Sequence, residues 1–319
     1  RTPFHTDYIK PLLDERMSRE VRMLKRFMKG IGVYGAEIKV GGFSGYLCEL
    51  LVLNYGSFAE VLRSATDWKD RTTLDYAKYY ERKANVEKTF EEPLVMVDPV
   101  DKGRNVAAAV RKERYCEFIA ASRTFLKAPN LDFFYPPETE ALKPTDLVNK
   151  IKARGSTLVF ISFNGAVTVP DVLWGQLYRQ QRTLRNQIKQ HDFRVLGDTA
   201  WSNEKDLNVF IFEIENRFLP NMKRHLGPPL TKRQECENFL GKHLGADSTV
   251  SGPRVDDGRW VVDVKRKYTD VAELVSEAVA DSLDVMVNDE VVKLYSGNLE
   301  FVRFLTEYLD GKPRWLVGV

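Results

Sequence analysis

The sequence of 319 residues contains few of the side chains that build disulfide frameworks and metal sites. It has only three cysteines, Cys48, Cys116 and Cys236, which are far apart and form no CxxC pair. The four histidines are equally scattered. We therefore expect neither a disulfide scaffold nor a zinc site, and free thiols of this kind are typical of a cytoplasmic protein.

A long apolar run and a strong net charge are also missing. No stretch reaches eighteen apolar residues, so the sequence predicts no membrane span, and its first residues do not form an apolar secretory segment. The 48 basic and 45 acidic residues give a net charge of +3, which is too small to indicate nucleic-acid binding by itself. Because the sequence does not start with methionine, we expect it to be cut from a longer protein.

The first third of the sequence has the periodicity of packed helices, and the total length allows two or three domains. Apolar residues recur at helical spacing after Ser18 and stop at Gly30, while residues 44–54 are almost continuously apolar, as in a helix buried within a bundle. Ser57 and Glu60 have the spacing of a capping box. We predict helices over residues 18–30, 44–54 and 105–126 and from residue 57 onward, with a single strand over residues 94–97.

The second half has a different pattern. Residues 131–137 include two adjacent prolines and are typical of a linker. Beyond them, the order strand, helix, strand, strand suggests a ferredoxin-like or RNA-recognition-motif-like sheet with helices on one face. Thr231 and Gln234 have the spacing of a second capping box. We predict helices over residues 146–154, 172–191, 231–243, 271–280 and 298–309, and strands over residues 157–163, 193–201, 208–214 and 259–264.

Three segments are too distinctive to be generic helix: RTPFH (1–5), GVYGAEIKVGGFSGYLCELL (32–51) and VDPVDKGRNVAA (97–108). In this order and spacing they resemble the archaeal (class I) CCA-adding tRNA nucleotidyltransferases. The similarity continues more weakly through APNLDFF (128–134) and DGRWVVDVKRKYT (257–269). The resemblance therefore covers nearly the whole chain.

The resemblance implies an α+β architecture. Residues 1–135 would form a helical neck of the poly(A) polymerase and CCA-adding substrate-binding type, and residues 136–319 an α/β body and tail. The family's catalytic head carries a Gly-Ser motif followed by an Asp-x-Asp pair that holds two divalent ions. Here Gly56-Ser57 opens a helix, and no Asp-x-Asp occurs. We expect the head to be missing and the chain alone to be inactive, with no metal ligands of its own.

The resemblance also implies an activity and its partners. The parent enzyme would add C, C and A to the 3′ end of tRNA from CTP and ATP, without a nucleic-acid template. Mg²⁺ would be bound by the absent head. This chain would supply a wall of the nucleotide pocket and would bind the acceptor stem and elbow of tRNA. Relatives suggest a homodimer.

Four residues match nucleotide-pocket positions of the family. His5 would contact a ribose hydroxyl or phosphate oxygen, and Lys25 and Tyr34 would contact the triphosphate. Arg104, expected at the start of a helix, would lie beside the base and help to select CTP and ATP. The residues alone leave simpler interpretations open: a terminal surface histidine, a solvated lysine, a half-buried tyrosine, and a salt bridge from the arginine to Asp98 or Asp101.

Basic side chains recur along one face of the helix predicted over residues 172–191, with Trp174 and Tyr178 nearby. A second basic cluster follows the strand at residues 259–264. Both could follow the phosphates of an RNA stem, and a solvated surface explains each of them equally well. The predicted tRNA-binding residues are Arg179, Arg182, Arg185, Lys265, Arg266 and Lys267.

Two other functions remain open from the sequence. A substrate-binding domain of the poly(A) polymerase or oligoadenylate synthetase type would keep the helical neck and change the substrate. A stand-alone RNA-binding module, or one subunit of a split nucleotidyltransferase, would need no catalytic head on the same chain.

Overall fold

A computed structural model of the protein describes residues 3–81, 83–165, 168–279, 283–295 and 297–316. Arg1 and Thr2 of the first motif, and Ala280 of a predicted helix, lie outside the described residues. The chain forms two compact units, one of residues 1–140 with 310–319 and one of residues 141–309. Helices and strands occur in both, which confirms the prediction of an α+β protein.

The first unit is mainly helical and contains one small sheet. In this sheet β2 lies between β1, its parallel neighbour, and β3, its antiparallel neighbour. The elements are α1 (Pro3–Ile9), α2 (Glu15–Gly30), α3 (Gly45–Tyr55), α4 (Phe58–Ala65), β1 (Thr72–Leu74), α5 (Lys83–Thr89), β2 (Leu94–Asp98), β3 (Asp101–Asn105) and α6 (Lys112–Lys127).

The helices of this unit begin and pack as their sequences predict. The Ser57 hydroxyl accepts a hydrogen bond from the backbone N–H of Glu60 at 3.2 Å, so the first capping box is confirmed. The predicted apolar face of α2 is buried, and Leu47, Leu50 and Leu51 of α3 have no exposed surface. Each fully buried leucine contributes about 1.5–3 kcal/mol, so these two helices form much of the core.

The prediction of one helix over residues 105–126 is wrong at its start. Asn105 ends β3, residues 106–109 form turns, and α6 begins only at Lys112. The buried Asn105 side chain accepts from the backbone N–H groups of Met96 and Ala107, and these bonds hold the chain in a turn. Local apolar spacing could not reveal this, because the strand depends on pairing with β2.

The segment predicted as a linker is partly packed into the core. Leu131–Phe133 forms a 3₁₀ turn, and the buried Phe133 ring stacks on Phe27 with ring centroids 5.9 Å apart. A Cβ atom on Gly30 would lie 2.1 Å from the Phe133 carbonyl oxygen, so only glycine allows this approach. The boundary between the two units falls later, after Glu140.

The second unit contains two antiparallel sheets with helices packed on them. The larger sheet has the order β10-β4-β6-β5, and the smaller has the order β7-β9-β8. The elements are α7 (Pro144–Ala153), β4 (Thr157–Asn164), α8 (Pro170–Gln190), β5 (Val195–Ser202), β6 (Leu207–Ile214), β7 (Met222–Pro229), α9 (Arg233–His243), β8 (Thr249–Asp256), β9 (Arg259–Lys265), α10 (Val271–Ala278), β10 (Asp284–Val287), α11 (Glu290–Tyr295) and α12 (Leu299–Asp310).

The larger sheet is covered by helices on both faces, whereas the sequence predicted helices on one face only. Val159 and Ile161 of β4 belong to a buried cluster with residues of α8 and α10. The alternate residues Leu158 and Phe160 belong to a second cluster with α7, α11 and α12. Because successive side chains of a strand point to opposite faces, the continuous apolar run of β4 serves two layers.

The smaller sheet carries α9, and two of its strands, β7 and β8, were not predicted. These strands lack a clear alternation of apolar and polar residues, and Leu226 and Val255 are more than half exposed. The second capping box is also wrong. Helix α9 begins after Lys232, no side chain caps it, and Gln234 is its second residue.

One ion pair ties the larger sheet to the end of α7. Both Arg154 Nε and Nη2 donate to the Glu213 carboxylate of β6 at 2.8 Å, and the Ser156 hydroxyl donates to the same carboxylate at 2.6 Å. These donors, led by the Arg154 guanidinium, hold the pKa of Glu213 below its usual value.

Candidate functional site

A cleft of about 820 Å³ opens in the first unit. It is lined by residues of α1, α2, α3 and β3 that lie far apart in sequence. Three of the four residues predicted for a nucleotide pocket, His5, Lys25 and Arg104, line this cleft together with Tyr46 and Glu49. The sequence therefore identified side chains that the fold brings together.

A buried carboxylate lies at one end of the cleft. Asp98, the last residue of β2, has no exposed surface. Its Oδ2 atom is 2.9 Å from both His5 Nε2 and Arg104 Nη1, and its Oδ1 atom accepts from the Tyr46 hydroxyl at 3.2 Å. The backbone N–H of Val100 also donates to Oδ1, at 3.1 Å. We call His5, Tyr46, Asp98 and Arg104 the Asp98 cluster.

His5 is buried in α1, with 5% of its surface exposed, so it is not the surface histidine that the sequence left open. Its ring lies against the Tyr46 ring, with centroids 4.7 Å apart. Burial, followed by the Asp98 charge, raises the pKa of the Tyr46 hydroxyl, which therefore stays protonated and can donate to Asp98.

Arg104 lies on β3 and not at the start of a helix, which corrects the prediction. Strands β2 and β3 are joined by a tight turn that pairs Asp98 with Asp101, and this turn brings the guanidinium back to Asp98. The ion pair that the sequence left open thus exists. Half of the Arg104 side chain is still exposed, so the same residue also lines the cleft.

Lys25 and Glu49 form an ion pair at the other side of the cleft. Lys25 Nζ donates to Glu49 Oε1 at 3.0 Å, and the exposed fractions of the two side chains are 26% and 8%. Lys25 is therefore not simply a solvated lysine. Glu49 was not predicted as a site residue, although one acidic residue within the apolar helix α3 was a visible anomaly.

Tyr34 lies beside this ion pair, on a loop that forms a bridge to Phe43. A Cβ atom on Gly45 would lie 3.1 Å from the Tyr34 hydroxyl and 3.4 Å from Lys25 Nζ, so glycine leaves room for both groups at the start of α3. Burial raises the pKa of Tyr34, while the nearby Lys25 opposes this shift.

The basic residues predicted on α8 differ in how free they are. Arg179 and Arg182 are exposed, and within the described ranges neither has an ion-pair partner. Arg185 is half-buried, and its Nε lies 3.4 Å from Asp198 Oδ1 of β5.

The cluster Lys265, Arg266 and Lys267 does not form one basic patch. Arg266 is largely buried and donates to Asp192 at the end of α8. Lys267 is paired with Glu277 at 3.1 Å, and only Lys265 is exposed without a described ion-pair partner. Most of this cluster is therefore engaged in contacts within the unit.

Neither a metal cluster nor a membrane helix is found in the described part of the chain. No group of three or more His, Cys, Asp or Glu side chains there could hold a metal ion, so these residues offer no Mg²⁺ site. No described helix is long and apolar enough to cross a bilayer.

Two family models match the chain. A model described as the second domain of tRNA nucleotidyltransferase matches residues 19–135, which include most of the cleft. A model described as the C-terminal domain of CCA-adding enzyme matches residues 154–296.

Several archaeal proteins named CCA-adding enzyme are similar in sequence. The protein of Methanosarcina barkeri is 38% identical over 292 residues, which are 91% of this chain and 62% of that protein. The protein of Pyrobaculum neutrophilum is 38% identical over 299 residues, 94% of this chain and 66% of its own. That of Halobacterium salinarum is 36% identical over 327 residues, which cover 98% of this chain and 70% of the relative.

The chain spans less than two thirds of the length of its Methanosarcina relatives. Its similarity nevertheless runs through both units, and the identity is well above the level at which fold alone is conserved. With the two family models and the Halobacterium relative, this similarity shows that the chain belongs to the CCA-adding enzyme family.

Proposed function

We propose that this chain forms the substrate-binding part of a CCA-adding enzyme, which completes the 3′ end of tRNA with C, C and A. The cleft of the first unit would receive the incoming CTP or ATP. The observation that carries the proposal is the convergence of His5, Lys25 and Arg104, from three separate elements, on one cleft large enough for a nucleotide.

Each predicted residue has a role that its position supports. The Lys25 ammonium would bind the triphosphate as a point charge, exchanging its contact with Glu49 for phosphate oxygens. The Tyr34 hydroxyl, close to Lys25, would donate to the same phosphates. His5 would contact the ribose or a phosphate, and the half-exposed Arg104 would lie beside the base.

The second unit would bind tRNA. The β10-β4-β6-β5 order corresponds to a ferredoxin-like body, and the small sheet with α9 to a tail, while the first unit corresponds to the helical neck. Arg179 and Arg182 on α8 are the best candidates for contacts with acceptor-stem phosphates, because both are exposed and free of described ion pairs. Lys265 could add a contact, and Arg185, Arg266 and Lys267 would first have to leave their partners.

Catalysis would depend on a head domain outside these 319 residues. That domain would hold Mg²⁺ on carboxylates, which activate the 3′ hydroxyl and neutralise the leaving pyrophosphate. The sequence has no Asp-x-Asp pair, so we expect the isolated chain to bind its substrates without adding nucleotides. A cytoplasmic homodimer is part of the same proposal.

Nucleotide binding can be tested on the isolated chain with fluorescent CTP and ATP. Lys25→Ala is expected to weaken binding of both nucleotides about tenfold or more, as loss of a charge-assisted phosphate contact predicts. Arg22→Ala removes an exposed cation one turn earlier on the same helix and serves as the matched control. Equal affinities for the three proteins would refute the triphosphate assignment.

RNA binding can be tested with a tRNA ending in CC and with oligo(A), across a range of salt concentrations. The double variant Arg179→Ala/Arg182→Ala is expected to bind tRNA more weakly and to lower the salt slope by roughly one to two contacts. Arg303→Ala, on α12 at the opposite face of the sheet, is the control. Preference for oligo(A) would favour a poly(A) polymerase-like domain instead.

A further inference from the structure

The Asp98 carboxylate lies behind the cleft. It has no exposed surface, whereas His5, Tyr46 and Arg104 line the cleft. These three side chains come from α1, α3 and β3, which are separated in sequence by about forty residues or more. Asp98 is the group that contacts all three, so it is the point at which these elements are joined.

The geometry also determines where protons lie. His5 Nε2, Arg104 Nη1 and Asp98 Oδ2 are mutually within 2.9 Å. A lone pair on Nε2 would face a carboxylate oxygen at hydrogen-bond distance, which is unfavourable. The contact with Asp98 therefore favours the tautomer that carries its proton on Nε2, with the imidazole and the guanidinium both donating to the same oxygen.

We propose that Asp98 is a positioning residue of the nucleotide site: its buried carboxylate fixes the Nε2–H tautomer of His5 and the orientations of Arg104 and Tyr46, so that the cleft receives a nucleoside triphosphate. The inference deepens the proposed function of the cleft and rests on it. Asp98 does not touch the ligand and acts through the three residues that it holds.

Charge and position predict opposite effects when Asp98 is changed. A negative charge near a polyanion opposes binding, so its removal alone would strengthen triphosphate binding. Loss of positioning would weaken it. Asp98→Asn keeps the shape, but an amide has only one oxygen, whereas the carboxylate accepts two donors on each side. One pair of donors must lose its acceptor.

The binding experiment compares Asp98→Asn with Asp101→Asn. Asp101 lies at the rim of the cleft, and its carboxylate accepts only from the backbone of its own turn among the described contacts. We expect Asp98→Asn to bind fluorescent CTP and ATP about tenfold more weakly, as for the loss of a charged hydrogen bond. Asp101→Asn should bind about twofold more tightly, through charge alone. A folded Asp98→Asn protein that binds as tightly as the parent chain overturns the proposal.

A second readout requires no ligand. Nitrogen-15 NMR of labelled histidines distinguishes the two neutral tautomers, and the His5 signals are assigned by their loss in His5→Gln. The parent chain is expected to show the Nε2–H form and Asp98→Asn a mixture, while an unchanged tautomer would count against Asp98. If the parent chain binds no nucleotide, the proposed function fails, and the tautomer still decides whether Asp98 fixes His5.

Tyr46→Phe covers the case in which Asp98→Asn does not fold. It removes one donor to Asp98 and leaves the buried carboxylate in place. Nucleotide binding is expected to weaken about threefold, the order of one ordinary hydrogen bond. Unchanged binding and an unchanged His5 tautomer in this variant would also overturn the proposal.

Discussion

Replacing Lys25 by methionine tests the most specific contact of the cleft. Methionine keeps an unbranched stem and a similar helix propensity but removes the ammonium group. In the parent chain that group is 3.0 Å from Glu49 Oε1, and the carboxylate is the more buried partner, with 8% of its side chain exposed against 26% for the lysine.

The magnitude follows from this difference in burial. Removing one partner of a fully buried ion pair costs about 3–5 kcal/mol, and the partial exposure of Lys25 lowers the expected cost of Lys25→Met to about 1–3 kcal/mol. Glu49→Gln should cost less, about 1 kcal/mol or below, because the lysine can turn toward water and the amide can still accept a hydrogen bond. The double variant should show a coupling energy of about 1 kcal/mol.

Hydrogen exchange followed by mass spectrometry suits this measurement, because peptides of α3 report the first unit separately from the second. The reasoning would be refuted if Glu49→Gln destabilised α3 more than Lys25→Met. It would also be refuted if the two changes added without coupling. Arg22→Met, on the exposed side of α2, controls for loss of a charge alone.

Three further predictions concern other parts of the chain. The lowered pKa of Glu213 contributes stability above its ordinary pKa near 4.5 that is lost as pH falls, so Glu213→Gln should flatten the decline in urea midpoint between about pH 5 and pH 3. Gly45→Ala should weaken nucleotide binding by crowding the neighbouring hydroxyl and ammonium groups, whereas Gly241→Ala, in α9 with nothing within 4 Å, should raise stability by about 0.5–1 kcal/mol in thermal unfolding. Of the three thiols, Cys116 alone should react rapidly with a thiol reagent, because Cys48 is fully buried and burial raises its pKa to about 12.

Much of the helical structure could be predicted because its causes are local. The apolar spacing of α2 and the capping by Ser57 depend on residues within one or two turns, and the structure agrees with both. The strands β7 and β8 could not be predicted in the same way. They pair across a sheet whose exposed positions include Leu226 and Val255, so no alternating pattern marks them.

The candidate site was predicted from motifs, and its supporting residues were not. His5, Lys25 and Arg104 were identified by their similarity to a family, while Asp98 and Glu49 were not identified as part of the site. Sequence spacing carries no information about these contacts, because Asp98 and His5 are 93 positions apart. A buried acidic residue within an apolar segment is the one local feature that could have indicated them.

Counting charges along a sequence fails for a related reason. The cluster at residues 265–267 and the stripe on α8 looked equally basic, but Arg266 reaches Asp192, which is 74 positions away, and is largely buried there. Arg179 and Arg182 have no such partner in the described structure. A phosphate contact at Arg266 must first replace an existing ion pair, whereas at the two α8 arginines it replaces only water. Salt-dependent binding should therefore be concentrated on α8 even though the two segments have similar charge.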